Sequence, residues 1–175
     1  MEIEKQLLNP VRNLKQTKVI STCAMLGALN VVINLLRFKP TPTFEVNFAY
    51  LAIAIGGFLY GWAPAVLVAI VGDIIGFITS PNGFFFPGFT LNKIVIGLIF
   101  GLVLYNKKVN LKSVTISIIL KTVLITFILT PIWLSIMYPN NQIIYYERII
   151  KGLIEFPIHV IATYYVVKTV EKVKK

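Results

Sequence analysis

Apolar residues run along this chain in six stretches, separated by short clusters of Pro, Gly, Asn, Lys and Arg. The stretches cover residues 19–36, 48–61, 64–79, 91–105, 114–137 and 149–167. None carries a strong amphipathic stripe, and a helix needs roughly 20 apolar residues to cross a bilayer. The pattern predicts an all-α integral membrane protein of six transmembrane helices, forming one domain over residues 1–175. The breaks are made of turn chemistry. Gly61-Trp-Ala-Pro64 sets a proline at a helix start, and Tyr138-Pro-Asn-Asn141 closes the fifth stretch. The first stretch follows a basic tail with no small-residue cleavage site, so it reads as a span rather than a signal peptide.

Composition agrees with a bilayer as solvent. Hydrophobic residues make up 57% of the chain and charged ones 14%, against roughly 25% charged in soluble domains. The net charge is +10, and its distribution predicts an orientation. With both termini cytoplasmic, that side holds Lys5, Arg12, Lys15, Lys18, Lys107, Lys108, Lys112, Lys121, Lys168, Lys172, Lys174 and Lys175. The opposite side holds Arg37, Lys39, Lys93, Arg148 and Lys151. Cytoplasmic flanks are the Lys/Arg-rich ones, so both termini are placed inside. The charge then serves topology and contact with anionic lipid. Cations at membrane edges do not make a nucleic-acid face.

The most distinctive segment is Pro81-Asn-Gly-Phe-Phe-Phe-Pro-Gly-Phe-Thr90. Two Pro and two Gly oppose regular helix, while four Phe are too apolar for an ordinary solvated loop. Non-helical backbone at membrane depth is tolerated where it is buried in protein or lines a cavity. The segment reads as a lid or wall over a binding site. An aromatic belt would favour Trp and Tyr, so Phe84, Phe85, Phe86 and Phe89 suggest stacking on a flat aromatic ligand.

No catalytic constellation, metal-ligand spacing or phosphate-cradling glycine loop is visible, so neither enzymatic activity nor a cofactor is expected, and ATP would be bound by another subunit. The single cysteine, Cys23, reads as a small apolar filler. His159 reads as a hydrogen-bonded residue of the sixth helix. Asp73 lies mid-span, where an ionisable group costs roughly 3 kcal/mol. It either accepts hydrogen bonds from a ligand's amino-heterocycle or makes an inter-helix clasp. Glu155, before Pro157, satisfies the backbone break that proline creates. Arg37, Lys39, Lys93, Arg148 and Lys151 taken singly are snorkelling residues. As a set they suggest a cationic cavity mouth for an anionic solute. Ala24 and Ala28, one turn apart, form a small-residue face for close helix contact, within the chain or with another membrane subunit.

On these residues the chain resembles the substrate-binding S components of energy-coupling factor (ECF) vitamin transporters, most closely their folate-specific branch. The likeness rests on Gly72-Asp-Ile-Ile-Gly76, the Pro81–Leu91 segment, Gly97-Leu-Ile-Phe-Gly101, and Arg148 through Pro157. The Ala24/Ala28 pair is similar to the motif by which S components meet the T component. The resemblance implies an outward-facing ligand cavity, capture of folate, and assembly with a T component and two ATP-binding cassette ATPases. Folate would place its pterin on the phenylalanines and Asp73, and its carboxylates on Arg148, Lys151, Lys93 or Arg37. Glu45 and Asn47 stand where that branch has a basic, glycine-containing stretch, so another anionic vitamin such as pantothenate is the alternative ligand. A small membrane enzyme or structural subunit is the alternative from another class.

Overall fold

A computed structural model describes residues 2–36, 47–81, 85–137 and 143–174, with side chains of the first and last helices placed from Leu8 and from Ile150 to Val173. Arg37, Lys39, Glu45 and Phe84 lie outside the described residues, as does the side chain of Arg148. The described elements are helical: α1 Glu2–Asn13, α2 Thr17–Leu35, α3 Tyr50–Tyr60, α4 Trp62–Thr79, α5 Pro87–Leu104, α6 Leu111–Lys121, a π-helical segment Thr122–Leu129, α7 Thr130–Met137 and α8 Ile143–Lys174. Among the described residues, five helical stretches are long and apolar enough to cross a membrane: Thr17–Leu35, Trp62–Thr79, Pro87–Leu104, Leu111–Met137 and Ile150–Val173; Tyr50–Tyr60 is a shorter apolar helix. Large side chains such as Met25, Ile78 and Leu153 face outward, as they can where lipid is the solvent.

Three local outcomes differ from the pattern reading. The basic N-terminal tail contains a helix, α1, whose Pro10 packs against Gly61 and whose Asn13 donates to the Tyr60 carbonyl at 3.1 Å. The helix after the aromatic segment begins at Pro87 rather than at Leu91, so Gly88, Phe89 and Thr90 form its first turn. Proline at the first helical position has no N–H to leave unsatisfied, which makes Pro87 a start rather than a break. The lysine-rich C-terminal segment continues α8 as far as Lys174.

The π segment has an identifiable cause. Pro131 has no N–H to offer the carbonyl four residues back, and its ring would crowd that carbonyl. The helix widens ahead of it, and the Thr130 N–H bonds to the Ile125 carbonyl, five residues back. Such widened turns occur frequently at functional sites.

Helices α2 to α5 pack tightly around Leu26, Ile53, Phe58, Val68 and Phe100. Glycine sets the spacing. A Cβ on Gly57 would lie 2.8 Å from the Gly101 backbone nitrogen, one on Gly97 would lie 3.0 Å from the Ala65 carbonyl carbon, and one on Gly101 would collide with the Trp62 backbone. The α3–α4 turn is made at Gly61, whose φ of 91° only glycine adopts readily. Small residues at a crossing allow helix backbones to approach closely in membranes. Against this block, α6, the π segment and α8 pack through Val114, Ile118, Ile125 and Val167.

Candidate functional site

A cavity of about 290 Å³ lies between the tight block and the helices of the C-terminal half. Helix α5 lines it with Phe89, Asn92, Lys93 and Ile96, which recur at the three- and four-residue spacing of one helix face. Helix α8 contributes Lys151, Glu155 and His159, each four residues after the last. Lys121, Ile125, Thr126 and Thr130 come from the fifth span, across the π segment. Asn47 and Tyr50 enter from the start of α3.

The ionisable groups are gathered rather than scattered. Lys151 Nζ lies 3.8 Å from Glu155 Oε1, and both side chains are mostly covered. Lys121 Nζ lies 2.9 Å from His159 Nδ1 and 4.1 Å from the centre of the Tyr50 ring. Glu155, Lys93 and Lys151 all act electrostatically on Lys121. Among the described lining residues, three lysines against one carboxylate give an excess of positive charge, which favours an anion.

Polar contacts fix the walls. Asn92 donates to Thr130 Oγ1 at 3.2 Å and accepts from Trp133 Nε1 at 3.0 Å. Trp133 packs on Phe86, and Phe86 packs on Phe89, each pair 5.8 Å between ring centres. Gly88 leaves room for this cluster, because a Cβ there would collide with Phe86 and Trp133. On the α2 side, Asn30 donates to the Ala49 carbonyl and Asn47 donates to Asn34 Oδ1, both at 2.6 Å. Gly72 and Gly76 of α4 are the seats against which Asn30 and Asn34 rest.

Residues 18–168 match the family model for the substrate-specific component of ECF transporters. The chain belongs to that family. Among relatives of the ECF component, the folate transporter FolT of Clostridium novyi (strain NT) is 32% identical over 92% of this chain and 94% of its own length. The folate transporter FolT of Leuconostoc mesenteroides subsp. mesenteroides is 31% identical over 85% of this chain and 84% of its own. A crystal structure of FolT bound with folic acid matches the fold with a TM-score of 0.78 and 37% identity, over 86% of this chain and 91% of that one. This ECF component is therefore a multi-pass protein of the cytoplasmic membrane, all-α in fold.

The structure distributes the residues singled out in the sequence. Lys93, Lys151 and Phe89 line the cavity together. Phe86 backs Phe89 without being part of the lining, and Phe85 packs instead on Phe77 of α4, 5.2 Å between ring centres. Asp73 is outside the described lining; its carboxylate accepts from Thr90 Oγ1 at 2.7 Å, tying α4 to the first turn of α5. Ala24 and Ala28 are exposed on the outer face of α2, whereas Cys23, Leu26 and Gly27 turn inward.

Sequence reasoning assigned Lys121 to a cytoplasmic flank, and the structure buries it in the cavity wall instead. The signal was its position inside an apolar run, where a lysine must face the bundle interior. Glu155 and His159, read as structural, share the helix face of Lys151, and their four-residue spacing was the available clue.

Removing the Asp73–Thr90 bond tests the tie between α4 and α5. Thr90→Val and Asp73→Ala should each lower stability by about 1 kcal/mol in detergent unfolding, with little further loss in the double variant. Additive losses would mean that the two groups act independently.

Proposed function

We propose that this ECF component captures folate from outside the cell and delivers it inward with a T component and two ATPases, which supply ATP hydrolysis. The observation that carries this reading is the cavity that joins Lys93, Lys151 and Glu155 to the aromatic wall of Phe89. Folate has a flat pterin ring with a hydrogen-bond donor edge and a tail with two carboxylates. Phe89 offers the ring a face, Glu155 offers the donor edge an acceptor, and Lys93 and Lys151 suit the carboxylates. Glu155 takes the part that the sequence suggested for Asp73. Arg148, three residues before Lys151, and Arg37 stay candidates for the tail. The names of the relatives and the folic acid in the matching crystal structure support the same ligand.

The exposed face of Ala24 and Ala28, flanked by the outward Met25 and Leu29, is the surface we assign to the T component. Large residues there should block docking and leave ligand capture alone. Ala24→Trp with Ala28→Trp should keep folate affinity in the isolated subunit and abolish uptake by the assembled transporter. Loss of affinity in the isolated subunit would place the face within the fold's own packing.

Calorimetry on the detergent-purified protein tests the ligand, with pantothenate as comparator. Folate should bind one-to-one and pantothenate should not, and Lys93→Ala should weaken folate by about tenfold or more while Lys93→Arg retains most of the affinity. A well-folded sample that ignores folate contradicts the proposal, and an unchanged affinity in Lys93→Ala removes that residue from the site.

A further inference from the structure

His159 is 4% exposed and lines the cavity, and its Nε2 has no hydrogen-bond partner. A buried polar atom normally has a partner, and each exception calls for an explanation. The other ring nitrogen is committed, because Nδ1 lies 2.9 Å from Lys121 Nζ. With Lys121 as an ammonium, which carries three protons and no lone pair, the lysine can only donate. Nδ1 must then be the acceptor, and in a neutral imidazole the proton sits on Nε2.

The surroundings hold this arrangement in place. Tyr50 lies under both members, its ring 4.7 Å from the imidazole centre and 4.1 Å from the ammonium. Its hydroxyl accepts from Thr163 at 3.3 Å and donates to the His159 carbonyl at 3.4 Å. Phe48 meets the imidazole edge-on at 6.0 Å. Among the described residues no group of three His, Cys, Asp or Glu could hold a metal ion, so metal ligation does not account for Nε2.

We propose that Nε2–H of His159 is a hydrogen-bond donor reserved for the transported ligand, and that it engages a carbonyl or carboxylate oxygen. Lys121 is the positioning residue that fixes the tautomer and supplies the positive field in which an oxygen acceptor is favoured. The inference rests on the cavity being the folate site. It adds a neutral N–H donor to the cavity wall, beside the cationic lysines and the carboxylate acceptor of Glu155. The oxygen can come from either end of folate, the 4-oxo group of the pterin or a carboxylate of the glutamate tail.

The chain contains one histidine, so ¹⁵N-histidine labelling of the intact protein reports this ring alone. Without ligand, the spectrum should show Nε2 protonated and Nδ1 as acceptor, and folate should shift the Nε2 resonance. His159→Leu should weaken folate by about thirtyfold, and His159→Gln, whose amide N–H reaches a similar place, should recover to within about fivefold of wild type. Lys121→Met should fall between them. Aminopterin, which carries an amino group in place of the 4-oxo, separates the two sources. A Leu penalty seen with folate and not with aminopterin assigns the ring oxygen, and an equal penalty assigns the tail. Equal affinities for the Leu and Gln variants, or a protonated Nδ1, would overturn the inference. Failure of the wild type to bind folate sinks the ligand reading; a wild type that binds folate with both imidazole nitrogens unmoved sinks this inference alone.

Discussion

An ionisable side chain at bilayer depth costs roughly 3 kcal/mol, and α5, the fifth span and α8 each carry one or more. Lys93, Lys121, Lys151, Glu155 and His159 cannot all be solvated by lipid, and they converge on one cavity. Their pairing reduces the cost. Lys151 meets Glu155, and Lys121 meets His159 beneath the Tyr50 ring. The convergence leaves an excess of positive charge and an orphaned imidazole nitrogen. The chemistry of the cavity suits a ligand with oxygen acceptors and negative charge.

The N-terminal half makes such a site possible by being rigid. Gly57, Gly97 and Gly101 bring α3, α4 and α5 to distances that a single added methyl would disturb. Asn30 and Asn34 bridge from α2 to the entry of α3 and rest on the glycines of α4. The C-terminal half is built differently. A π-helical segment precedes Pro131 where the fifth span lines the cavity, so the cavity lies between a close-packed wall and a helix that departs from α geometry. This division suits a protein that must hold a ligand firmly and later release it.

Much of this was legible in the sequence, and the failures share a cause. The helical membrane class follows from the apolar runs, and the family follows from the Gly72–Gly76 and Pro81–Leu91 motifs. Lys93, Lys151 and Phe89 drew notice because charge and aromatic chemistry beside a broken helix is conspicuous, and all three line the cavity. Asp73 was equally conspicuous, and of its two readings the structure shows the inter-helix clasp, although the partner, Thr90, is seventeen residues away and is reached only once α4 and α5 pack. Lys121 was counted with the flanks although it sits within the fifth apolar run, since charge counting treats every lysine as a boundary marker. Pro87 was read as a breaker although it starts α5, because proline serves both purposes and local sequence does not separate them. Pairings across helices, such as Lys121 with His159, lay beyond periodicity altogether.

A structure of the protein determined with folate bound would show which cavity holds the ligand. Folate density is expected between α5, the fifth span and α8, with Lys93 and Lys151 on carboxylate oxygens, the pterin against Phe89, and an oxygen within hydrogen-bonding distance of His159 Nε2. Folate density on the Asp73 side of α4, with the lysine cavity left to solvent, would contradict it.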